Sequence, residues 1–153
     1  MSLSIPISST LFLISAQIDT SNLAGVAASD LAIIAKAAQV SEDAETGTGG
    51  FDDAIAAAGG TQTTAGTALQ NGKIKNKVLK LQTDVLRLQI EQAQGKSVWI
   101  SQCSKLQHMK GYWLKQGLDT ELQQQITKLN TNVALDKAAA GQTSQSVSFS
   151  GTD

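Results

Sequence analysis

Between residues 73 and 94 the chain reads KIKNKVLKLQTDVLRLQIEQAQ. Ile74, Val78, Leu81, Val85 and Leu88 recur at steps of four and three, with Leu79, Leu86 and Ile90 widening the stripe. Residues so spaced share a face only in a helix, so the pattern predicts a helix with one apolar side, close to a coiled-coil seam. At 1.5 Å per residue it would be roughly 33 Å long. It cannot cover its own apolar side, and the rest of the chain must do so. Lys73, Lys77, Lys80 and Arg87 lie off the seam.

The best partner is a second pattern over 118–140. Leu118, Leu122, Ile126, Leu129 and Val133 repeat at helical spacing, with Asp119 and Glu121 early and Lys137 late, as the helix dipole prefers. This helix should fold back on the first as an antiparallel pair spanning 69–94 and 118–140. A shorter alanine-rich helix over 23–40, with N-caps offered by Asp19-Thr20-Ser21-Asn22, and perhaps one over 51–58 should cover the pair. Thr46-Gly47-Thr48-Gly49-Gly50 breaks the chain between them, Gly59-Gly60 ends the second, and Asn71-Gly72 weakens any backward extension of the long helix. The fold class expected is therefore all-α, a small helical bundle built on a long antiparallel helical hairpin.

Around this domain, taken as 23–141, lie two flanks. Residues 1–22 carry a short apolar patch at 11–14, read either as a weak secretory signal with Ala16 at the cleavage position, or as a packed or disordered segment. Residues 142–153, QTSQSVSFSGTD, read as a disordered polar tail in which Val147 and Phe149 alternate.

Residues 96–117 differ from their surroundings. They contain both tryptophans (Trp99, Trp113), the only tyrosine (Tyr112), Cys103, His108 and four lysines, and no acid. Three origins fit: an aromatic, cationic contact helix, plain core filling, or an insertion that does not belong to the natural product. For the last, Gly95-Lys96-Ser97 can be encoded by a string containing the intron donor GTAAGT, as in a retained intron.

Charge narrows the function. The net charge is −1, but residues 1–72 hold seven acids against Lys36 alone, a net of −6, and residues 73–153 hold a net of +5. Opposed halves of similar size attract within one molecule or between copies, which makes a homo-oligomer one expectation. A nucleic-acid binder would leave a large positive balance, so none is expected. Lys73, Lys75, Lys77, Lys80 and Arg87 form the strongest electrostatic feature. They serve either as a docking surface, joined by Trp99 and Trp113, or as the solvated side of the long helix facing the acidic half.

Catalytic chemistry finds little to work with. Cys103 and His108 are the sole thiol and imidazole; zinc needs more such ligands, and five residues along one helix turn the pair to different sides. Glu42, Asp43, Glu45, Asp52 and Asp53 lack a calcium-loop pattern and read as helix-start acids and solvated charge. Gly47-Thr48-Gly49-Gly50 lacks the preceding strand and following Lys-Ser/Thr of a phosphate loop. No catalytic residue, metal site or cofactor is expected, and the chain is read as a non-enzyme.

Gln70-Asn71-Gly72-Lys73-Ile74-Lys75-Asn76-Lys77-Val78-Leu79-Lys80-Leu81 resembles the NGKIKNKVLKL-type segment of a group of small secreted fungal proteins, and TKLNTNVALDKAAAG within 118–141 is similar to their second helix. That resemblance implies secretion and an effector-like or cell-surface role with no active site, with Lys73, Lys75 and Lys77 as the positions carried over. The function expected is that of a small secreted interaction protein meeting a protein or cell-wall partner through its helical surface. The alternative is a membrane-active amphipathic bundle that inserts 11–14 and the 23–40 helix.

Overall fold

The computed structural model describes residues 18–95 and 107–149, the side chains of 107–116 aside. It is helical, with no strand among the described residues. A single 3-10 turn, Leu23–Gly25, precedes four helices: α1 (Ala28–Thr46), α2 (Phe51–Ala57), α3 (Thr64–Ala93) and α4 (Gln107–Ala138).

The helix ends follow local chemistry. Asn22 caps the 3-10 turn through its Oδ1, which accepts from the Gly25 N–H, so α1 begins later than residue 23 and runs on to Thr46. Asp52 and Asp53 occupy the first turn of α2, where Asp53 Oδ2 accepts from the Gly49 N–H at 2.8 Å. Gly59 and Gly60, both at positive φ, close α2 as the Gly60 N–H reaches back to the Ile55 carbonyl at 2.9 Å. Thr63 then caps α3, its Oγ1 accepting from the Gly66 N–H at 3.0 Å. That cap starts the helix five residues before the expected position and carries it through Asn71-Gly72.

α3 is the central rod, about 45 Å long at 1.5 Å per residue. What the sequence presents as one wide stripe is two faces. Asn76, Thr83 and Ile90, seven residues apart, lie on one side. Asn76 Nδ2 donates to the Ser41 carbonyl of α1 at 2.7 Å, and Ile90, fully buried, packs with Leu31 and Ile34. Ile18, Leu23, Val26 and Leu86 close around that cluster. Thr83, also buried, satisfies its hydroxyl on the Leu79 and Lys80 carbonyls of its own helix.

The other side of α3 carries Val78, Leu81 and Leu88, all buried, and α3 also packs against α4, where Leu122 is buried. Lys75 meets Asp136, Arg87 meets Glu121, and Gln92 donates to Asp119. As numbers rise on α3 they fall on α4, so the two helices run in opposite directions. The same rule holds against α1 and the turn before it, where Gln94 Nε2 donates to the Val26 carbonyl and Asn76 Nδ2 to that of Ser41. The all-α bundle is as expected, and its central helix α3 has two antiparallel neighbours, α4 and α1.

α4 starts at Gln107, so the second half of the 96–117 stretch is helical. The first half, with Trp99 and Cys103, lies outside the described residues, as does the apolar patch at 11–14. Residues 142–149 correct the expectation of a disordered tail. They turn back at Gly141 (φ 80°) and cross α3, where the Gln145 N–H donates to the Ala68 carbonyl at 2.9 Å and Asn71 Nδ2 donates to that of Thr143 at 2.9 Å. A segment without charge or long apolar run stays ordered because α3 supplies partners for its main chain.

Candidate functional site

The polar residues that the fold gathers most densely lie where α1, α2 and α3 meet. On α1 the buried line Leu31, Ile34, Ala38, Ser41, Glu45 advances by three and four, changing from apolar to ionic as it goes. It brings the Glu45 side chain to 7% exposure. One turn apart on α3, Lys73, Lys77 and Lys80 converge on that carboxylate at 3.5, 2.9 and 3.2 Å. Lys80 also pairs with Glu42, and Lys73 with Asp52 at the start of α2. Three acids thus face three lysines in a closed network.

Burial by itself would push the Glu45 carboxyl upward. The Lys77 hydrogen bond and the charges of Lys80 and Lys77 outweigh it and hold the group below its ordinary value. Burial likewise works to lower the Lys80 ammonium, but hydrogen bonds and charge from Glu42 and Glu45 raise it above the usual lysine range. Both ends of the pair therefore stay charged across the neutral range.

At the far end of α3 a second cluster forms around Arg87. Its guanidinium meets Glu91 at 3.0 Å, Asp84 at 3.4 Å and Glu121 of α4 at 3.7 Å. Desolvation pulls its pKa down, and the charges of Glu91 and Asp84 more than restore it. Between the two clusters Lys75 reaches Asp136 of α4 at 2.6 Å.

Each cation singled out in the sequence is therefore accounted for: Lys73, Lys77 and Lys80 come together, while Lys75 and Arg87 point toward α4. None of the five forms a bare basic stripe. Trp99 lies outside the described residues, and Trp113 sits on α4 with its side chain outside them. Sequence reasoning placed Glu45 among solvated acids; it is buried instead, because its spacing from Leu31, Ile34 and Ala38 puts it on the packed side of α1. That spacing was the available signal. Among the described residues, no group of three or more His, Cys, Asp or Glu side chains is placed to hold a metal ion.

A separate site was missed altogether. Asn71, Gly72 and Ala68 on α3 receive the crossing segment 142–149, and a cavity of about 230 Å³ lies beneath it among Ala44, Phe51, Leu79, Val147 and Phe149. A Cβ at position 72 would lie 1.9 Å from the Gln145 carbonyl oxygen, so only glycine lets the backbones approach this closely. The signal available was Gly72 immediately before a strong helical pattern, read as weakening a helix that in fact runs through it.

No curated protein and no solved structure matches the chain. One family does, over residues 11–148, a span that takes in all four helices and the crossing segment almost to its end. The chain belongs to the family described as Domain of unknown function (DUF8454).

Proposed function

We propose that the protein is a small secreted, non-enzymatic helical protein that acts by surface contact with a partner protein or cell-wall component. One observation carries this reading. The cations of α3 are turned onto acids of α1, α2 and α4, and the exposed side of α4 offers mainly uncharged polar residues, Gln123, Gln124, Thr127, Asn130 and Thr131, with Lys128 and Lys137 among them. Such a face gives many weak hydrogen-bonding contacts. Its length, on a helix of 32 residues, suits an extended partner. The secreted location rests on the resemblance to effector-like fungal proteins and on the weak signal-like start.

Fractionation of a producing culture tests the location. The protein should be found in the supernatant or wall fraction with an N-terminus downstream of Ala16; cytosolic retention with Met1 in place would remove the secreted reading. Dye-filled anionic vesicles test the mode of action. Surface contact predicts no leakage, whereas concentration-dependent release would favour the membrane-active bundle. No helix among the described residues is long and apolar enough to cross a membrane.

A further inference from the structure

The crossing segment 142–149 is held on α3 chiefly through its main chain. Two of its main-chain groups are read by α3: the Thr143 carbonyl accepts from Asn71 Nδ2, and the Gln145 N–H donates to the Ala68 carbonyl. Gly72 clears a path for the Gln145 carbonyl. Beyond that point Val147 and Phe149 are half-buried over the groove, while Ser146 and Ser148 face solvent. Backbone contacts thus fix the segment's position, and Val147 and Phe149 line a hollow that Ser144, Gln145 and Ser146 line as well.

The same segment is weakly committed. Six of its eight residues are exposed, it carries no charge, and it spans the 230 Å³ cavity without filling it. It joins α4 through Gly141, whose positive φ (80°) other residues rarely adopt.

We propose that the groove formed by Ala68, Asn71 and Gly72 of α3 with Phe51 of α2 is a peptide-binding site, closed in the free protein by the chain's own residues 142–149. Its ligand is an extended, uncharged peptide segment with two apolar residues two positions apart, the chemistry of the occupant already seated there. Residues 142–149 act as an intramolecular competitor, so the site's apparent affinity is its intrinsic affinity multiplied by the fraction of molecules in which the latch is open. This site is distinct from the outer side of α4 and does not depend on where the protein resides.

The test uses the full chain and a fluorescein-labelled peptide of sequence QTSQSVSF, with binding read by anisotropy. Saturable binding is expected, together with at least tenfold weaker binding of the same peptide carrying aspartate at the position of Val147. Two chain variants weaken the latch while leaving the groove intact: Phe149→Ala removes an apolar anchor, and Gln145→Pro removes the N–H that Ala68 accepts. Both should bind the wild-type peptide at least tenfold more tightly than the unaltered chain. Equal affinity for the wild-type and aspartate peptides would overturn the proposal. So would the absence of a gain in both variants, or the absence of binding to all three chains.

Discussion

Gly72 occupies a helix interior, where alanine would ordinarily be favoured by about 1 kcal/mol. In this chain the added methyl would meet the Gln145 carbonyl oxygen at 1.9 Å, and backbone does not yield as a flexible side chain does. Gly72→Ala should therefore destabilise the protein by about 1–3 kcal/mol, the usual cost of overpacking, and should expose residues 142–149 to carboxypeptidase. A gain in urea midpoint with an unchanged digestion rate would show that the crossing does not exist. Glu45 gives a second single-residue outcome. Its folded carboxyl titrates below its ordinary value of 4.5, so its contribution is complete above that value and is lost as pH falls through the lower, folded one. Glu45→Gln should cost about 2 kcal/mol at pH 7, in the range for hydrogen bonds to charged groups, and should flatten the loss of stability on the acid side of pH 4.5. An unchanged acid limb would indicate that Glu45 is not held by the lysines.

At the scale of the element, α3 was legible in existence and type, because residues 74–90 place large apolar groups at steps of three and four. Its division of labour was not. A stripe broad enough to include Leu79, Leu86 and Ile90 can serve one wide partner or two narrow ones, and periodicity cannot choose between them. The pairings Asn76 with Ser41 and Lys75 with Asp136 make the choice, and both are tertiary. The ends of α3 and α1 differ from the expected ones for a similar reason: Thr63 caps α3 ahead of residue 69, and Asn22 is used by a 3-10 turn. The two-faced assignment has a direct consequence. Ile90→Ala and Leu88→Ala should each cost about 3 kcal/mol by cavity formation. Ile90→Ala should raise amide exchange chiefly in α1, and Leu88→Ala chiefly in α4. If both variants loosen the same helix, the two-faced arrangement is wrong.

For the whole molecule, the −6 and +5 halves of the sequence left open whether charge joins one molecule or several. The ion pairs of Lys73, Lys77 and Lys80 with Glu42, Glu45 and Asp52 all cross the boundary between those halves within a single chain. The candidate interaction cations thus have a structural employment that the sequence could not reveal, since the pairing depends on α1 running antiparallel to α3. Closure of this kind ties the acidic half of the sequence to the basic half through ion pairs within one chain. The most direct measurement is a double-mutant cycle between Glu45→Gln and Lys77→Met, followed by urea unfolding at pH 7 and low salt. With Lys77 Nζ 2.9 Å from a carboxylate only 7% exposed, a coupling of at least about 1 kcal/mol is expected, at or above the upper end for exposed pairs. Additive effects, with coupling indistinguishable from zero, would contradict the claim that this fold is closed by its own opposed charges.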